Sequence, residues 1–79
     1  MALKPLRYAP HANRTRRFWD ISAAEVLATL SSPDMSLPAD GDDHCVTKRL
    51  GPRFIRVTYT EDTDHILVIA VTPKTTAWP

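Results

Sequence analysis

Residues 53–72 constrain the fold of this chain more than any other stretch. Arg53-Phe54-Ile55-Arg56-Val57-Thr58-Tyr59-Thr60 and His65-Ile66-Leu67-Val68-Ile69-Ala70-Val71-Thr72 are two runs rich in β-branched and aromatic residues. The acids Glu61, Asp62 and Asp64 sit only in the link between them. This is the pattern of an antiparallel hairpin. In the first run Ile55, Val57 and Tyr59 point one way, and Phe54, Arg56 and Thr58 the other. The second run is apolar on both faces, as a central strand is. Cys45-Val46-Thr47-Lys48-Arg49-Leu50 reads as a further strand, turned into the Arg53 run by Gly51-Pro52.

Two helices precede these strands. Proline is accepted in a first helical turn, so Pro10 opens a short helix through Trp19, although Asn13 and Thr15 are poor helix formers. Ser22 has Glu25 three residues on, the reciprocal capping-box spacing, and Ile21 before the cap can pack on Val26. Val26, Leu27 and Leu30 form an apolar stripe that needs a sheet to cover. Pro33 ends this helix, because the residue before a proline is steered out of the α conformation. Residues 33–44 form a loop. The expected architecture is α+β, in the order α-α-β-β-β, with both N-terminal helices on one face of an antiparallel sheet of three to four strands. A short extra strand can be placed near Met35 or in the tail. The chain reads as a single domain, residues 1–79: an extended lead-in at 1–10, a core at 11–72, and an irregular tail at 73–79 whose Trp78 can tuck against the core. The expected core is Val26, Leu27, Leu30, Ile55, Val57, Ile69 and Val71.

Seventy-nine residues make one small core. With one cysteine, Cys45, no intramolecular disulfide can form, which fits a reducing compartment. No apolar segment follows Met1–Pro5 as a signal peptide requires, and the longest apolar run, residues 66–71, is too short to span a bilayer. A cytoplasmic location is expected. The net charge is only +1, but the charges are segregated. Lys4, Arg7, Arg14, Arg16 and Arg17 precede the first acid, and Asp34, Asp40, Asp42 and Asp43 fill the middle. Lys48, Arg49, Arg53 and Arg56 follow. Two basic blocks can meet on one face and attract phosphate, or a mixed-sign surface can simply keep a small protein in solution. Both readings stay open on charge alone.

No metal or cofactor motif is expected. Asp42-Asp43-His44-Cys45 places potential ligands in succession, and consecutive residues rarely converge on one tetrahedral ion. Two glycines cannot make a Gly-rich phosphate loop. Nothing pairs Cys45 with a histidine and an orienting acid, which argues against a thiol nucleophile. His11, Arg14 and Arg17 share one helix face by spacing. His11 there can act as a general base or touch phosphate, or it can pad a helix start beside solvated arginines. Lys48, Arg53, Arg56 and Tyr59 lie on the sheet. Arg56, mid-strand and facing away from Val57, either binds an anion or pairs with a loop aspartate. Phe54 on the same side can stack a base, as aromatics do in RNA readers. Tyr59 has the position of a packing residue with a bonded hydroxyl.

His11-Ala12, Ile21-Ser22 with Glu25-Val26, and Ser32-Pro33 together resemble a family of short bacterial proteins of unknown function. The second half matches that family's sheet in order: Thr47-Lys48, Gly51, Arg53 to Tyr59, Asp64 and residues 66–72. The resemblance covers roughly residues 11–73. The family's arginine four residues after the histidine falls at Thr15, and its Arg-Gly before Ile-Ser falls at Trp19-Asp20. The family is itself similar to the RelE/ParE-type toxins of toxin–antitoxin pairs, the BrnT-like ones included. The resemblance implies two helices on one face of a twisted antiparallel sheet, and a toxin-like RNA-binding protein. It also implies metal-independent cleavage of mRNA, without cofactor, under the control of a cognate antitoxin. His11 would then be the base or acid, and Lys48 and Arg56 would stabilise phosphate charge. Arg14, Arg17, Arg53 and Phe54 would hold the RNA. The alternative is a non-catalytic module that holds a protein partner on the same α+β platform.

Overall fold

The computed structural model describes residues 4–37, 39 and 41–74. In chain order the elements are β1 (Leu6–Tyr8), α1 (Pro10–Phe18), α2 (Ala23–Ser31), β2 (Met35–Leu37), β3 (His44–Leu50), β4 (Arg53–Glu61) and β5 (Ile66–Lys74). One five-stranded sheet has the order β1-β5-β4-β3-β2. The expected hairpin of β4 and β5 and the strand before it are present. The expected antiparallel sheet of three to four strands is not: the sheet is larger, and it is mixed.

The difference lies in the short edge strand β1, whereas β2 is the short extra strand placed near Met35. β1 pairs with β5 in parallel, Leu6 beside Ile66 and Tyr8 beside Val68. Backbone bonds from Ile66 N–H to the Pro5 carbonyl (2.9 Å) and from Ala9 N–H to the Val68 carbonyl (2.9 Å) extend the pairing at both ends. Pro5 and Pro10 keep the residues before them extended, and β5 would otherwise present an unpaired edge. The lead-in is thus part of the sheet. β2 pairs antiparallel with β3, Met35 beside Thr47 and Leu37 beside Cys45. β5 runs on to Lys74, past the end expected for it. The expected packing of Trp78 falls outside the described residues.

Both helices cover one face. α1 lies on β5, and α2 on β3 and β4. Ala12, Ile21, Val26, Val46, Ile55, Val57, Val68 and Val71 form the core. Two expected core members are displaced. Leu27 is 45% exposed, so the stripe of α2 is narrower than expected and consists of buried Val26 and Thr29 with half-buried Leu30. Thr29 is tolerated there because its hydroxyl donates to the Glu25 carbonyl at 2.8 Å. Ile69 is half-buried, and Val68 and Ile66 take the inward positions. The cause is a register shift: Thr58 pairs with Ala70 but Tyr59 pairs with Val68, which leaves Ile69 as an extra residue. A bulge of this kind reverses the in-out alternation, so Val71 and Val68, three apart, both face the helices.

The helix junction is held by local chemistry. α1 ends in a Schellman arrangement: Ile21 N–H bonds the Arg16 carbonyl (2.9 Å) and Asp20 N–H the Arg17 carbonyl (3.2 Å). Asp20 takes the left-handed conformation this requires, φ 56°. α2 opens with the expected capping box. Ser22 Oγ accepts from Glu25 N–H (3.1 Å), and Glu25 Oε1 accepts from Ser22 N–H (2.9 Å). Leu50 pairs with Arg53 across Gly51-Pro52, and Gly51 has φ 69°. A positive φ at the first central residue is what a type II′ hairpin turn requires.

Candidate functional site on the outer face of helix α1

α1 turns one face to the sheet and the other to solvent. Its inward contact is Ala12, fully buried, whose small side chain lets the helix lie close on β5. Arg16 also turns inward. It donates to Asn13 Oδ1 and to the Ile21 carbonyl, both at 3.0 Å, and its guanidinium lies 5.2 Å from the Tyr8 ring centroid. Burial raises the Tyr8 hydroxyl above its ordinary pKa, and the Arg16 charge partly opposes this. Arg16 is therefore a structural arginine that ties α1 to β1 and to the start of α2.

The outward residues are different. His11, Arg14, Arg17, Phe18 and Trp19 are all exposed, Phe18 by 77%. The Phe18 and Trp19 rings meet edge to face, with centroids 5.0 Å apart. His11, Arg14, Thr15, Phe18 and Trp19 line a shallow hollow of about 280 Å³. A second hollow of about 370 Å³ is lined by Pro10, Asn13, Arg14 and Arg17, so Arg14 stands between the two. Thr15 Oγ1 donates to the His11 carbonyl at 2.9 Å. Among the described residues neither the Arg14 nor the Arg17 side chain makes a hydrogen bond or ion pair. No acid lies between Pro10 and Trp19. The result is an acid-free basic face that ends in two exposed aromatic rings.

Of the residues singled out from the sequence, His11, Arg14 and Arg17 come together here. Arg53 reaches the same end of α1 from the sheet, but as a clamp. It donates to the Trp19 carbonyl (3.0 Å) and the Asp20 carbonyl (3.1 Å), and it lies 3.6 Å from Glu25 Oε2. Its charge is used on the helix junction, and it fixes where Trp19 sits. Lys48 is elsewhere: its ammonium donates to the Ser32 carbonyl at the end of α2 (2.9 Å) and lies 3.8 Å from Asp34. There it compensates the negative end of a helix. Arg56 and Phe54 alternate with core residues Ile55 and Val57 and so lie on the sheet face away from both helices. Arg49 lies 5.9 Å over the Phe54 ring. The expected single patch of His11, Arg14, Lys48 and Arg56 does not form, because the helix layer and the sheet stand between His11 and Arg56.

Phe18, Trp19 and Thr15 are additions. Phe18 is four residues after Arg14, hence on the same helical face, a spacing visible in the sequence. Among the described residues, no three of His, Cys, Asp and Glu gather as metal ligands would. His44, stacked on Tyr59 with centroids 5.1 Å apart, is exposed, and its neighbour Cys45 is buried on the other side of the strand. No described helix is long and apolar enough to cross a membrane. Compared with protein-family models, with curated proteins and with solved structures, the chain finds no match.

Proposed function

We propose that this protein is a toxin-like RNA-binding module whose contact surface is the outer face of α1, and that it binds without cleaving. The observation that carries the reading is the exposed Phe18–Trp19 ring pair on a helix face with no acid, beside Arg14, whose side chain is unpaired among the described residues. Single-stranded nucleic acid is held by two kinds of contact, cations along the backbone and aromatic rings under the bases. In α1 both come from one helix. His11 and Thr15 supply polar groups in the hollow between them.

Cleavage is left out for a geometric reason. Metal-independent attack by a ribose 2′-hydroxyl needs a proton acceptor and charge stabilisation around one phosphate. Lys48 is committed to the end of α2, and Arg56 lies beyond the sheet. That leaves His11 with Arg14 and Thr15, a set suited to contact. One further point supports the toxin-like resemblance. Asp20 holds a left-handed φ of 56° where the resembled family has glycine, the residue that adopts this conformation without strain.

The test is fluorescence anisotropy of a labelled single-stranded RNA with the pure protein at two salt concentrations. Two phosphates neutralised by Arg14 and Arg17 give a slope of about −1.4 in log affinity against log salt. Phe18→Ala weakens binding at both concentrations, and His11→Ala leaves it nearly intact. The RNA is recovered uncut. Absence of salt-sensitive binding rejects the reading and leaves a protein partner as the occupant of this face.

A further inference from the structure

The face of the sheet away from the helices carries a guanidinium whose bonding is incomplete. Arg56 Nε and Nη2 are shielded from solvent and have no hydrogen-bond partner among the described residues. Thr47, directly across on β3, has no exposed surface, and its hydroxyl is also buried without a partner. Residues opposite each other on one sheet face have Cβ atoms about 5 Å apart, so the two side chains leave the sheet side by side. Thr72 flanks Arg56 on the other side, on β5. The described residues paired with Arg56 or next to it on this face, on β3 (Cys45, Thr47, Arg49), on β4 (Phe54, Thr58) and on β5 (Ala70, Thr72, Lys74), include no carboxylate.

Buried polar groups are bonded in folded proteins, and a buried cation without a counter-charge is costly. The groups left over here are of one kind. Nε–H and Nη2–H form the side of the guanidinium that donates two parallel bonds to two oxygens of one carboxylate or phosphate. The Thr47 hydroxyl adds a third donor. The geometry points to a small-oxyanion site between Arg56 and Thr47, which takes a carboxylate or phosphate group on the side of the sheet opposite the α1 surface. Met35, across from Thr47 on the edge strand β2, is an exposed and unbranched side chain at the rim of this face. The site is independent of RNA binding by α1.

The experiment titrates the full chain with inorganic phosphate, acetate or chloride at constant ionic strength. The readouts are the Arg56 Nε–H NMR resonance and the melting temperature. Phosphate or acetate shifts the resonance saturably and raises the melting temperature, chloride does neither, and the stronger of the two oxyanions identifies the group bound. Arg56→Met weakens oxyanion binding at least about tenfold, as loss of charge-assisted bonds does. Without oxyanion Arg56→Met melts no lower than the parent, because two shielded N–H groups without acceptors have gone from a half-buried side chain. Thr47→Val, of the same shape without the hydroxyl, weakens binding without lowering that baseline. Arg14→Ala, on α1, leaves the response unchanged. Equal responses to all three salts overturn the site, and so does an oxyanion response that Arg56→Met retains. A melting loss in Arg56→Met that is the same with and without oxyanion also overturns it, since Arg56 is then satisfied within the chain.

Discussion

Helices α1 and α2 are of equal length and lie on the same sheet, yet their residues serve different ends. α2 carries a complete capping box, buries Val26 and Thr29, and has its last turn tied to Lys48. α1 has no side-chain cap, opens on Pro10, and buries only Ala12. What α1 shows to solvent is cationic and aromatic, and its single inward arginine, Arg16, bonds through both terminal nitrogens and lies against the Tyr8 ring. In α2 the sequence is spent on stability. In α1 the outer residues stabilise little, and that freedom is what a contact surface requires. The lesson is that exposed Phe18 and Arg14, whose side chain is unpaired among the described residues, gain meaning beside a neighbouring helix whose charged Glu25 is bonded at its cap.

The contrast breaks first, if it breaks, at the joint between the helices. Ile21, 1% exposed, closes the Schellman end of α1 and precedes the cap of α2. Ile21→Ala removes a buried aliphatic side chain and costs about 2–5 kcal/mol, a large share of a small domain's stability. Chemical denaturation measures it, and a loss within experimental error means the helix layer is not anchored there. Ser22→Ala, which removes half of the capping box, costs about 1 kcal/mol in the same measurement. By contrast, Phe18→Ala on α1 changes stability by no more than about 0.5 kcal/mol. A loss from Phe18→Ala as large as that from Ser22→Ala would make Phe18 a packing residue and remove the distinction between the helices.

A pH profile sharpens the comparison on the side of α2. The Ser22 N–H, then the Ser22 hydroxyl and the Arg53 charge, hold the Glu25 carboxyl below its usual value of 4.5. A depressed folded-state pKa contributes stability that is present above the unfolded value and lost as pH falls through the folded one. The melting temperature therefore declines below about pH 4.5. Asp62 adds to the same limb, since the backbone N–H groups of His65 and Asp64 lower its pKa. Glu25→Gln keeps a capping side chain without the charge, so it flattens part of this decline. An acid limb unchanged in Glu25→Gln would show that the box carries no charge-dependent stability. This is the smallest effect of the series, because Glu25 is partly exposed.

Much of this arrangement is legible in the residues, and what is not has definite causes. The β4–β5 hairpin and the capping box are written in adjacent residues, so local pattern suffices. β1 is only three residues, and its partner lies at the other end of the chain. Nothing in Leu6-Arg7-Tyr8 distinguishes an edge strand from an extended lead-in. The bulge at Ile69 is invisible because an unbroken apolar run has no parity to violate. For the site, the spacing of His11, Arg14 and Arg17 places them on one face; in the fold all three are exposed, with Arg14 between the hollows lined by His11 and by Arg17. The outward parity of Arg56 already implied its separation from His11, since helices that cover Ile55 and Val57 cannot touch the other face. The Arg14–Phe18 spacing is visible too, but an aromatic residue at a helix end is as compatible with packing as with exposure, so spacing alone does not make Phe18 or Trp19 a contact residue.

The central claim, that the outer face of α1 is a binding surface for RNA, is tested most directly by setting one exposed apolar side chain of each helix against the other. Single-stranded RNA affinity is measured for the parent, for Phe18→Ala on α1 and for Leu27→Ala on α2, with Leu27 45% exposed as the control. Loss of base stacking costs about 1–3 kcal/mol, so Phe18→Ala weakens binding about 5- to 150-fold, while Leu27→Ala binds as the parent does. Equal affinity in all three proteins would contradict the account.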